Sequence, residues 1–322
     1  MSLATKDRLH FNLVDTAFDI VRLSDQDTGS VDAGVGEEKL GAGAQVTVSR
    51  RLFGKVAIVT GAGAKDGVGV GAATAITLAR EGCRIVLANR DPEPARRTAA
   101  LIDEEGGACI VVAADIGKAA DCTRVAELAA ATYQRIDILV NNAAVSDRSG
   151  LLDLDIDRWD AVLDVNLKGT MMMTRAAAAL MPDGGTVINI SSRSGERPLK
   201  NAFAYATSKG AIIALTRTCA VDLGPKGIRV NALVVGGPWT PMAERAHAHL
   251  DASAIAALRE RRRTEAPIKR EGSAWDVAKA ALFFASDDSS WITGQALAVD
   301  GGYLLVDPSE AVRDAATHQD ED

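Results

Sequence analysis

The sequence predicts an α/β fold, a single domain with about seven parallel strands in a doubly wound sheet and helices on both faces. Three observations carry that prediction. From Arg51 onward, short β-branched runs alternate with Ala-rich stretches long enough to be helices. The runs are apolar at nearly every position, as strands covered on both faces require, rather than at every second one. The first run also passes through a glycine-rich loop directly into a helical stretch, the arrangement that presents free backbone N–H groups to an anion.

The elements follow in order. Residues 55–60 (KVAIVT) form a strand, followed by the glycine loop and an Ala-rich helix to Arg80. Residues 84–89 (RIVLAN) form the second strand, with a helix over 94–105, a strand at 108–114 and a helix over 118–134. Residues 136–141 form the fourth strand; a long helix near 159–181, a strand at 186–191 and a helix through Tyr205 to Leu223 come next. Strands at 228–235 and 295–299 complete the set. Right-handed crossovers between such strands give a Rossmann-type sheet that takes its ligand at the strands' carboxyl ends.

Composition sets the limits. The chain has 322 residues, 47% of them hydrophobic, enough for a sizeable core in one large domain. The formal charge of −7 resides in the ends, since residues 1–50 and the tail 304–322 are both acidic and residues 51–303 are close to neutral. No basic face argues for nucleic acid. The four cysteines show no CxxC spacing and no neighbouring histidine, which speaks against disulfides or a zinc site and for a reducing compartment. No apolar run reaches membrane-spanning length and the N-terminus lacks a hydrophobic signal core, so the expectation is a soluble, cytoplasmic protein. Residues 1–50 read as an extension, with Leu9 (or Phe11), Val14, Phe18 and Val21 at helical spacing and a Gly/Ser/Asp-rich linker over 24–43.

The loop from Thr60 to Gly71 reads TGAGAKDGVGVG. Its glycines let the backbone approach a pyrophosphate, and the helix that follows supplies a partial positive charge. An acid at the end of the second strand would accept bonds from a ribose diol and select NAD, whereas a cation there pairs with a 2′-phosphate. This chain has Asn89-Arg90, with Lys65 in the loop as a further cation, which favours NADP; NAD is the alternative, because Asp91 stands next to Arg90.

Ser192 closes the fifth strand, and Tyr205 and Lys209 are spaced i, i+4, on one face of a helix. An ammonium beside a phenol lowers the phenol's pKa from about 10, fitting it for acid–base work. A half-exposed Tyr next to a solvated Lys has the same spacing, so the surrounding motifs decide.

Those motifs together resemble the short-chain dehydrogenase/reductase family over residues 52–303. Thr60-Gly61 with Gly69 and Gly71 is similar to the family's glycine motif, Asp115-Ile116 to its adenine-contacting pair, and residues 141–144 (NNAA) to its sheet-stabilising segment, which brings Asn142 and Ala143 to the cofactor. Asn166, Ser192 (thirteen residues before Tyr205), Tyr205 and Lys209 match the catalytic positions, and Thr240 matches a residue at the nicotinamide carboxamide. Residues 294–302 are similar to the last strand. Two departures stand out. The glycine loop is about four residues longer than usual, and Val235-Gly236 replaces the usual Pro-Gly, which loosens the turn into the substrate loop.

The resemblance implies an NAD(P)-dependent oxidoreductase that interconverts a secondary alcohol and a ketone. Ser192 would hold the carbonyl oxygen, Tyr205 would give it a proton, Lys209 would lower the tyrosine pKa and bind ribose, and Asn166 would position a water. No metal is needed. The partners implied are a small alcohol or ketone, with a 3-oxoacyl thioester as one candidate, and further copies of the chain in a homotetramer or homodimer. Alternatives are an NAD-dependent catabolic alcohol dehydrogenase, a non-catalytic dinucleotide-binding scaffold, and an interaction arm in residues 1–50. The run Arg259, Arg261, Arg262 and Arg263 reads as a solvated helix face, or else as a contact for an acidic substrate. His247 and His249, i and i+2 in a predicted helix, point to different faces and make a poor metal site. Trp239 reads equally as pocket lining or packing, and residues 171–173 (MMM) as core or subunit interface.

Overall fold

The computed structural model describes residues 50–306, together with the backbone of residues 37–38 and 46–47. Strands β1 (Val56–Thr60), β2 (Arg84–Asn89), β3 (Cys109–Ala113), β4 (Ile138–Asn141), β5 (Thr186–Ser192), β6 (Arg229–Val235) and β7 (Ala296–Val299) form one parallel sheet in the order β3-β2-β1-β4-β5-β6-β7. β1, β4 and β5 are buried at every position, which is why their sequences do not alternate. The strand order reverses between β1 and β4, so their carboxyl ends diverge and open a crevice.

Around the sheet lie α1 (Val70–Arg80), α2 (Pro92–Glu104), α3 (Ala119–Tyr133), α4 (Ile156–Leu163), α5 (Thr170–Leu180), α6 (Phe203–Leu223), α7 (Pro241–Ala246), α8 (Ala252–Glu265) and α9 (Ala274–Ala285). One core cluster joins β1, β2 and α9 through Val59, Leu87 and Phe284; the other joins α3, α5 and the opposite sheet face through Val125, Met173 and Val187. The predicted long helix is α4 and α5 joined by a π-helical turn over Asp164–Gly169, a widening that recurs at functional sites. Met173 is in the core, while Met171 is partly exposed.

α9 is absent from the predicted elements, although its start carries a legible signal. Ser273 and Asp276 form a reciprocal capping box. All four cysteines are unpaired among the described residues. Further corrections concern single residues. α7 ends at Ala246, so His247 and His249 follow the helix instead of lying on it. The Val235-Gly236 turn is not loosened, because the Gly236 N–H continues the ladder to Val299 O at 2.9 Å. In the N-terminal extension, Glu37–Glu38 pairs antiparallel with Val46–Thr47, so part of the predicted linker is in a strand pairing. The helix expected near residues 9–21 lies outside the described residues.

Candidate active site

A cleft of about 1080 Å³ runs along the carboxyl ends of the strands, from the glycine loop to the α7–α8 segment. Of the residues predicted for the site, Gly61, Gly69, Gly71, Asn89, Arg90, Asp115, Ile116, Asn142, Ala143, Ser192, Tyr205, Lys209 and Thr240 all line it. Asn166 does not; it is buried behind the wall.

At the first end, Gly61 has φ +65°, and a Cβ there would lie 2.6 Å from Ala143 Cα, so only glycine lets the loop approach β4 this closely. A Cβ on Gly71 would meet Asn142 Nδ2 at 2.4 Å and Gly61 O at 2.5 Å. Asn142 ties the two motifs together, its side-chain amide donating to Thr60 O (3.1 Å) and Gly61 O (2.8 Å) and its N–H to Thr60 Oγ1 (3.0 Å). The longer loop is pinned from α2, where Thr98 Oγ1 donates to Ala62 O (2.6 Å) and Arg97 donates to Lys65 O (2.7 Å). Neither α2 contact was legible in the sequence, because nothing local links residues 62–65 to 97–98. By contrast, a Cβ on Gly69 would meet nothing within 4 Å, so the start of α1 faces open space. A backbone cradle with free space at a helix N-terminus fits a dinucleotide pyrophosphate.

At the end of β2, the Asp91 carboxylate caps α2 by accepting from Glu93 N (3.1 Å). That carboxylate is committed to the cap, and Arg90 is exposed and makes no ion pair among the described residues. Asp115 spends one oxygen on the Gly117 N–H (3.0 Å), fixing the bend after β3.

Mid-sheet, the Asn141 amide donates to Thr174 Oγ1 and to Asn189 Oδ1, both at 2.9 Å, and Asn189 donates to Thr216 Oγ1 at 2.9 Å. This buried chain ties α5, β4, β5 and α6 together. Gly195 lets the turn after β5 close on α6, since a Cβ there would sit 2.6 Å from Gly210 N. Ser192 is thereby placed beside Tyr205, close enough for its hydroxyl to act on the phenol. Lys209 is buried, its Nζ donating to Ile190 O at 2.8 Å and lying 5.8 Å from the centre of the Tyr205 ring. Asn166 accepts from Val145 N (2.8 Å) and donates to Val145 O (2.9 Å) and Ser208 Oγ (3.0 Å), so it braces α6 one residue before Lys209.

One electrostatic expectation is corrected here. Burial raises the Tyr205 phenol above its ordinary value, and the neighbouring Ser192 hydroxyl pulls it down by less. The same burial lowers the Lys209 ammonium from 10.5 to about 8. Desolvation of both groups outweighs the attraction that the i, i+4 spacing predicts.

The far end is built by α7 and α8. Thr240 caps α7, its Oγ1 accepting from Ala243 N (3.4 Å). Trp239 packs between the two helices, donating to Glu244 Oε1 (3.0 Å) and lying beneath the guanidinium carbons of Arg259 (5.1 Å) and Arg262 (5.2 Å). Arg259 is salt-bridged to Glu271, and Arg261 to Glu265. Arg262 turns inward and lines the cleft, so the arginine run is not a uniformly solvated face.

The family model described as Enoyl-(Acyl carrier protein) reductase matches residues 63–304. The chain is 36% identical over 262 residues to 2-(S)-hydroxypropyl-CoM dehydrogenase 3 of Xanthobacter autotrophicus, covering 80% of this chain and 100% of that one. The chain belongs to the short-chain dehydrogenase/reductase family. It is an oxidoreductase of the type that acts on CH–OH groups with a nicotinamide dinucleotide. A second relative, D-threitol dehydrogenase of Mycolicibacterium smegmatis, is 35% identical over 79% of this chain and 95% of its own. The crystal structure of a putative short-chain dehydrogenase/reductase from Burkholderia xenovorans superposes with TM-score 0.76 at 35% identity, covering 80% of this chain and 99% of that one. The close approach at Gly61 and Gly71 and the open space at Gly69 would hold the phosphates of such a dinucleotide.

Proposed function

We propose that this short-chain dehydrogenase/reductase interconverts a small secondary alcohol and its ketone, with NADP preferred over NAD and Tyr205 as general acid–base. The observation that carries the reading is the convergence of the Ser192 and Tyr205 side chains at the cleft, with Lys209 buried behind them. The cofactor supplies or accepts the hydride. Ser192 and Tyr205 together hold the substrate oxygen, and the Tyr205 phenol, kept neutral by burial, gives it the proton in the reductive direction. Lys209 supplies a positive charge beneath the phenol in the oxidative direction, when the proton returns, and binds the nicotinamide ribose. Asn166, its amide committed to Val145 and Ser208, keeps α6 in register for both rather than holding a water in the cleft. The preference for NADP rests on Arg90 at the end of β2, which makes no ion pair among the described residues, with Asp91 committed to its helix cap. As in the family generally, a homo-oligomer is the working form.

Tyr205→Phe tests the reading. Turnover of any accepted ketone should fall by at least about a thousandfold, since acid–base catalysis and placement of the oxygen are lost together, while the affinity for NADPH, read by nicotinamide fluorescence, stays within about threefold. Full activity in the variant refutes the role of Tyr205.

A further inference from the structure

Two guanidinium groups at the substrate end of the cleft make no ion pair with a carboxylate among the described residues. Arg193 directly follows Ser192 and lies over the Tyr303 ring, its Cζ 3.9 Å from the ring centre. Its side chain makes no hydrogen bond or ion pair among the described residues. Arg262 reaches the same place from α8. It lies over Trp239, donates one long bond from Nη1 to Gly237 O (3.3 Å), and leaves its buried Nε without a partner. The two meet at Gly237, where a Cβ would stand 3.5 Å from the Arg193 guanidinium carbon.

The acids nearby are already committed. Glu271 and Glu265 face Arg262 but hold Arg259 and Arg261. Asp300 accepts from the N–H groups of Gly302 and Leu304, both at 2.8 Å, and Asp147 faces Arg158 at 3.5 Å. Burial, and after it the neighbouring charge of Arg193, pushes the Arg262 guanidinium below its ordinary value. Two close like charges with an unmatched buried donor are costly to keep and normally have a counter-charge. Each guanidinium is held by an aromatic ring, which leaves N–H donors free for an oxyanion. The phosphates of the dinucleotide are not that oxyanion, because their cradle lies at the β1–α1 loop, at the opposite end of the cleft.

We infer that Arg193 and Arg262 form an anion subsite, and that the substrate is a secondary alcohol or ketone carrying a carboxylate, or an equivalent oxyanion such as a sulfonate, which docks there while its oxygen meets Ser192 and Tyr205. The inference rests on the oxidoreductase reading above and names its substrate class.

Benzoate and benzamide, equal in shape and different in charge, are titrated calorimetrically into the full-length protein saturated with NADP. Benzoate should bind at least about tenfold more tightly, as charge-assisted bonds require, and Arg262→Gln and Arg193→Gln, each checked for unchanged thermal unfolding, should each bring the two ligands within about threefold. Equal affinities in the wild type, or a preference that survives both substitutions, overturn the subsite. A preference that emerges only after removal of the acidic residues 307–322 also overturns it, because the chain's own tail is then the occupant. Reduction of 4-acetylbenzamide by the same protein supplied with NADPH in place of NADP reports separately on the oxidoreductase reading.

Discussion

Lys209→Met should change how stability depends on pH, not only turnover. In the folded protein, burial brings the Lys209 ammonium from 10.5 to about 8, whereas in the unfolded chain it stays near the ordinary value. The folded state therefore resists protonation more than the unfolded state does. Between about pH 8 and 10.5 the unfolded chain holds a proton on Lys209 that the folded protein has released, and stability rises with pH wherever the unfolded state binds more protons. Below that window the full penalty applies; above it there is none. The interval from 10.5 to about 8 corresponds to on the order of 3 kcal/mol. Methionine keeps the length of the side chain and cannot be charged. Denaturant unfolding of both proteins at pH 7.5, 9 and 10.5, at one protein concentration, cancels the other titrating groups in the difference. Relative to Lys209→Met, the wild type should gain about 3 kcal/mol across this range. A flat or falling difference would mean that the ammonium keeps an ordinary pKa and is paired in the fold, and would refute the account of a desolvated lysine.

Arg90→Ala should weaken NADPH binding by about ten- to a hundredfold and leave NADH binding unchanged, because a charged contact to a 2′-phosphate is lost; fluorescence titration decides, and equal effects on both cofactors reverse the NADP preference. Asn142→Ala removes two bonds that hold the glycine loop. It should weaken both dinucleotides alike, by roughly tenfold, in the same titration. Asp276→Ala takes away the capping box of α9 together with the partner of Arg270. Unfolding free energy should drop by about 1–2 kcal/mol at neutral pH, with less loss at acid pH. That direction follows because Arg270 lowers the Asp276 carboxyl, so its contribution is present at neutral pH and lost as the group is protonated.

The sequence by itself determined the parallel sheet, since strands buried on both faces must be apolar at nearly every position and those runs are visible without any structure. It also determined which residues line the cleft, because a glycine loop after β1, Asp115 after β3, Ser192 at the end of β5 and Thr240 beyond β6 all fall at the carboxyl ends of strands, where the topology opens. Tertiary structure decided what local spacing cannot express. The i, i+4 relation placed Lys209 near Tyr205, yet the balance between attraction and desolvation depends on how deeply β5 and α6 bury the pair. The clamp of Arg97 and Thr98 on the glycine loop joins residues more than thirty positions apart. Arg262 looks in the sequence like its neighbours Arg261 and Arg263. Only the packing of α8 against Trp239 gives it a different environment, turning one charge of the run into the cleft, beside Arg193, while its neighbours remain in solvent among acids.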